Sequence, residues 1–91
     1  MTIRWSDPAI EDLEAVYDYI ARDNENKAAQ VVAELLLAID GLERFPQMGQ
    51  TDPSAPGRRI LTHPPYRIYY RIRRDVIEIL SLLHGSRRHH K

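Results

Sequence analysis

The chain has 91 residues, no cysteine, and 13 Lys and Arg against 13 Asp and Glu, a formal net charge of zero. That length fits a single domain spanning residues 1–91, and the lack of cysteine excludes disulfides and thiolate chemistry. No apolar run approaches the ~20 residues of a membrane span, and Met1 to Trp5 contains no apolar export core, so a cytoplasmic protein without membrane contact is expected.

Ile3-Arg4-Trp5 reads as a short strand. Ser6 or Asp7 can cap a first helix, with Pro8 early enough that its lacking N–H costs nothing. Ile10, Leu13, Tyr17 and Ile20 recur at helical spacing and predict its buried stripe. The polar stretch Asp23 to Asn26 breaks the pattern and offers caps for a second helix. That helix carries a broad apolar stripe of Ala28, Val31, Val32, Leu35, Leu36, Ile39 and Leu42. So short a link folds the two helices into an antiparallel hairpin. Phe45-Pro46 ends the second helix, and Gly49, Asp52-Pro53 and Pro56-Gly57 mark a loop.

The remainder predicts strands. Arg58 to Thr62 is short, and His63-Pro64-Pro65 turns the chain. From Tyr66 to Arg73 the sequence alternates, with Ile68, Tyr70 and Ile72 on one face and Arg67, Tyr69, Arg71 and Arg73 on the other. Arg74-Asp75 fits a hairpin turn into Val76 to Leu83, which is apolar on nearly both faces and should sit centrally. One helical hairpin can cover only one side of that strand. The other side therefore calls for a concave, partly exposed floor or a partner.

The zero net charge hides a division. Residues 1–56 hold four basic and eleven acidic side chains, a balance of −7, and residues 57–91 hold nine basic and two acidic, a balance of +7. Such asymmetry points to an anionic or charge-complementary partner on the C-terminal third. Arg67, Tyr69, Arg71, Arg73, Leu80 and Leu82 are the partner-binding candidates. No phosphate loop, metal-ligand spacing or nucleophile triad is present, so no cofactor is expected. The ending Arg87-Arg88-His89-His90-Lys91 reads as a frayed basic tail.

Asp12-Leu13, Tyr17 to Ile20, Leu42, Phe45 to Gly49, Tyr66 to Tyr70, Ile77 to Leu80 and Leu83-His84-Gly85-Ser86-Arg87 together resemble the ParE/RelE toxin superfamily, closest to its ParE branch. The resemblance implies an α+β fold, with an N-terminal antiparallel helical hairpin packed on a small, mostly antiparallel sheet in the order β-α-α-β-β-β. It implies a cognate antitoxin forming a hetero-oligomer with the toxin. It also implies one of two activities: inhibition of DNA gyrase by binding, or ribosome-dependent cleavage of mRNA. For a nuclease, the positions that match are Arg58, Arg67 and Arg87 as phosphate-holding groups, with His84 as the titrating side chain. Ile60 stands where a second basic residue would fall, and no tyrosine follows Tyr70 to serve as the C-terminal acid or base. The expectation is therefore a gyrase inhibitor, with the nuclease second and a non-toxic protein- or nucleic-acid-binding module third.

Overall fold

A computed structural model describes residues 1–85; Arg87, and the expected basic tail with it, lies outside them. The elements run β1 (Thr2–Trp5), α1 (Asp7–Ala21), α2 (Glu25–Asp40), a 3-10 turn (Gly41–Glu43), β2 (Gln50–Thr51), β3 (Arg58–His63), β4 (Tyr66–Arg73) and β5 (Val76–His84). They make an α+β fold in which the two helices cover one face of a five-stranded sheet ordered β1-β5-β4-β3-β2. Every strand pair is antiparallel except β1 with β5. The two-residue β2 forms inside what the sequence reads as loop, where turn residues mask so short a strand.

Each helix begins as its sequence dictates. Ser6 accepts the N–H of Ala9 and Asn24 accepts that of Lys27, each satisfying an amide that has no partner within the helix. Such caps contribute about 1 kcal/mol each.

The buried stripe of α1 differs from the one predicted. Ala9, Leu13, Val16 and Ile20 pack toward the sheet and α2, while Ile10 is 42% exposed and Tyr17 37%. Ala9 and Ala28 are fully buried. Small side chains let the backbones approach, a preference invisible to a pattern that weighs apolar bulk. On α2 the stripe holds at Ala28, Leu35 and Ile39, with Leu42 in the 3-10 turn, but Leu36 faces outward. Tyr66, Ile68, Tyr70, Ile77, Ile79 and Leu82 complete the core from the sheet.

A bulge in β5 decides which of its residues face inward. Tyr70 pairs with Ile79 and Tyr69 with Ser81, so Leu80 is the extra residue. Alternation restarts beyond it, and Leu82 falls on the helix side. Leu82 is thus a fully buried core residue and cannot contact a partner, contrary to expectation, while Leu80 stays half-buried. The backbone groups freed near the bulge bond to the start of α1. Ser6 Oγ donates to Leu80 O at 3.0 Å, and Leu82 N–H donates to Asp12 Oδ2 at 3.0 Å. The N-terminal turns of α1 thus continue the edge that β1 begins.

Candidate functional site

The sheet face opposite the helices is open among the described residues, and strand register fixes its members, because directly opposed residues share a face. Arg67 lies opposite Thr62 and Leu83, and Tyr69 opposite Ile60 and Ser81. Arg71 lies opposite Arg58 and Glu78, and Arg73 opposite Val76. Arg67, Tyr69, Arg71 and Arg73 are therefore brought together as their alternation predicts. Among the described residues no helix covers the outer side of β5, where Val76, Glu78 and Leu83 stay half-exposed.

One row of this face is charged from edge to edge. It runs Arg4 on β1, Glu78 on β5, Arg71 on β4, Arg58 on β3, and Asp52 just beyond β2, whose N–H donates to Arg58 O. Each step spans about 4.8 Å. Arg58 and Arg71 are like charges directly opposed, an arrangement that destabilises unless each is neutralised. Each has its own carboxylate. Arg71 Nε donates to Glu78 Oε1 at 2.9 Å, and Arg58 Nε and Nη2 both approach Asp52 Oδ2 at 2.6 Å. Arg58 also lies over the ring of Tyr69, 5.0 Å from its centroid. Asp52 is nearly buried and further accepts the N–H and hydroxyl of Ser54 at 2.9 Å. The Ser54 amide above all, with its hydroxyl and Arg58, holds the Asp52 carboxyl below its ordinary range despite burial.

The three nuclease candidates among the described residues, Arg58, Arg67 and His84, are not assembled. Arg58 is committed to Asp52 and Tyr69. Its β4 neighbour Arg71 is four residues from Arg67, about 13 Å along the strand. His84 pairs with Tyr66, whose ring is in the core, and the two rings meet edge to face at 5.3 Å. His84 thus belongs to the helix side of the sheet and Arg67 to the open side. Arg87 lies outside the described residues. Among the described residues, no three His, Asp or Glu side chains are grouped to hold a metal ion.

Two arginines belong to the open face without having been singled out. Arg4 arrives through the parallel pairing of β1 with β5, and Arg74 through the β4–β5 turn. With Arg71, Arg73, Val76 and Glu78 they line a groove of about 650 Å³. Alternation of Ile3, Arg4 and Trp5 indicates that Arg4 turns away from the core, but nothing local says which strand lies beside it.

A second surface is apolar. Phe45 is 63% exposed and Met48 47%, and residues Arg44 to Met48 line a shallow depression of about 480 Å³. The loop displaying Phe45 and Met48 is fastened from below. Tyr70 Oη accepts the Gly49 N–H at 2.9 Å and donates to Pro46 O at 2.8 Å, and Arg59 Nη1 donates to Gly49 O at 2.6 Å. Only glycine fits at position 49, since a Cβ there would lie 2.8 Å from Ile60 O and from the Tyr70 ring and hydroxyl. Burial pushes the Tyr70 phenol up from its ordinary value.

The family model for the ParE toxin of the type II toxin–antitoxin system parDE matches residues 3–89. The chain is 39% identical over 84 residues to "Putative toxin Y4kP" of Sinorhizobium fredii, covering 91% of this chain and 86% of that one. It is 30% identical over 83 residues to Toxin RelE2 of Caulobacter vibrioides, covering 91% and 93%. Among solved structures, a chain of the chromosomal ParDE toxin–antitoxin system from P. aeruginosa superposes with a TM-score of 0.81 at 28% identity, over 92% of this chain and 95% of that one. A chain of the RelBE2 toxin–antitoxin complex from Mycobacterium tuberculosis shares the fold, with a TM-score of 0.68 at 24% identity over 91% and 95%.

Proposed function

Because the chain belongs to the ParE toxin family of type II toxin–antitoxin systems, we propose that a cognate antitoxin holds it inactive and that, once freed, it inhibits DNA gyrase by binding rather than by cutting RNA. The observation that carries the choice of target is the separation of Arg58, Arg67 and His84, the nuclease candidates among the described residues. RNA cleavage through a ribose hydroxyl needs a proton-transferring group and phosphate-holding cations around one phosphate. Here Arg58 is held by Asp52, Ile60 offers no proton, and His84 and Arg67 lie on opposite faces. An inhibitor that acts by binding needs no such convergence.

The antitoxin reading draws support from two surfaces and from the toxin–antitoxin complexes that contain the similar solved chains. Phe45 and Met48 form an apolar patch on a loop held in fixed shape, suited to a partner's apolar side chains. Arg67 on the open face, outside the groove at the β4–β5 turn, suits a partner's carboxylate. The cytoplasm is the setting this reading requires. Consistent with it, no described helix is long and apolar enough to cross a membrane.

The mRNA endoribonuclease is the second reading, supported by the similarity to Toxin RelE2 and by the exposure of Arg67. The freed protein should be tested side by side for inhibition of gyrase supercoiling and for cleavage of mRNA on translating ribosomes. Supercoiling inhibition without cleavage is expected. Cleavage lost on Arg67→Ala, with supercoiling untouched, would replace the gyrase reading with the nuclease.

A further inference from the structure

We infer that the groove at the β4–β5 turn, lined by Arg4, Arg71, Arg73 and Arg74, is a binding site for the phosphate backbone of a nucleic-acid duplex. Its four cations come from three places in the chain: Arg4 from β1, Arg71 and Arg73 from β4, and Arg74 from the turn, where its φ of 58° sets it apart from the strand. One carboxylate, Glu78, lines the same groove and is bonded to Arg71. Arg4, Arg73 and Arg74 are exposed and make no ion pair with another described residue. The groove therefore carries three cations in excess of its anion, all guanidinium groups, whose forked donors match phosphate oxygens.

The lining selects among polyanions. An acidic polypeptide gains its affinity and register from side-chain pockets and apolar anchors. Among the described residues Val76 is the one apolar side chain in the lining. A single strand of nucleic acid is held largely by stacking its bases on aromatic rings. Among the described residues no aromatic lines the groove, and the nearby Tyr69 ring has Arg58 over it. A duplex backbone requires nothing beyond closely spaced, accessible cations. The acidic side chains Glu11, Glu14, Asp18 and Glu34 are exposed on the helical layer, so the molecule's field orients the sheet face toward a polyanion.

The test is fluorescence anisotropy of a random-sequence DNA duplex with the full chain over a salt series, free of gyrase and ribosomes, so its result is independent of the target of toxicity. Binding should weaken linearly in log affinity against log salt. Arg4→Gln and Arg74→Gly should each weaken it about three- to tenfold at fixed low salt and reduce the slope by about 1. Glycine suits the backbone at position 74, so that variant should fold. Arg22→Gln, which removes an exposed arginine at the end of α1, should change neither quantity. The proposal is overturned by absence of duplex binding at low salt, by equal loss from Arg22→Gln, by tighter binding of the same sequence as a single strand, or by poly-glutamate displacing the duplex at equal charge.

Discussion

The carboxylate of Asp12 on the first helix accepts the backbone N–H of Leu82 on the last strand at 3.0 Å, seventy residues away. Next to it, Ser6 Oγ bonds Leu80 O while capping the same helix. These two contacts seat the helical layer on the sheet and satisfy strand groups near a bulge where β1 has ended.

Asp12→Ala should destabilise the protein by about 1–3 kcal/mol, because it leaves a strand amide without its acceptor. Asp12→Asn keeps an acceptor oxygen in place and should cost less. Ser6→Ala should cost about 1–2 kcal/mol through the lost cap and the lost bond to Leu80. Urea unfolding of the three variants, with an unchanged m-value, checks the series.

The loop that displays Phe45 and Met48 depends on Gly49 and Tyr70. Gly49→Ala should cost about 1–3 kcal/mol by overpacking against Ile60 O and the Tyr70 ring. Tyr70→Phe should cost about 1–3 kcal/mol and strip protection from the Gly49 amide in hydrogen exchange. In an alkaline absorbance titration of the folded protein, one of the five tyrosines should ionise late and disappear from the curve in Tyr70→Phe.

Asp52 gives stability a defined acid limb. Its folded carboxyl titrates below the ordinary value of 3.8, so between the two the unfolded chain binds more protons and stability rises with pH. The contribution is complete above 3.8 and is lost as pH falls through the folded value. Asp52→Asn should flatten that limb in unfolding midpoints measured from pH 2 to pH 6, a window set by the direction of the shift.

Toxicity should separate structural from functional arginines. Arg58→Ala should lower the melting temperature, since it leaves Asp52 without its cation, and any loss of activity should track that drop. Arg67→Ala should leave the melting temperature unchanged, because the side chain is exposed on the open face. His84→Gln should leave toxicity unchanged, which a plating assay under inducible expression reads directly. Loss of toxicity there without loss of stability would reinstate His84 as a chemical group.

Leu82→Ala should cost about 2–5 kcal/mol as a core cavity. A partner-contact role, as the sequence suggests, would instead cost affinity and spare stability. Calorimetry of the free protein distinguishes the two.

Much of the fold was written locally. The helix caps at Ser6 and Asn24, the hairpin link and the alternation of Tyr66 to Arg73 all follow from residues within a turn or two of one another. The open cationic face was legible for the same reason, since strand parity assigns Arg67, Tyr69, Arg71 and Arg73 to one side without any knowledge of neighbours.

What the sequence left undetermined depends on contacts between distant segments. One extra residue at Leu80 reverses the parity of β5 and turns Leu82 from surface to core, and no local pattern announces where a bulge falls. The burial of Ala9 in place of Ile10 depends on how closely two helices and a sheet can approach. Arg4, counted with the acidic half of the chain, joins the basic face because β1 runs parallel to β5, and Arg58 is paired because Asp52 closes on it from across a loop. Residue order set the elements and their faces through short-range sterics and periodicity; pairing register and packing, which are properties of the whole chain, determined which charges meet.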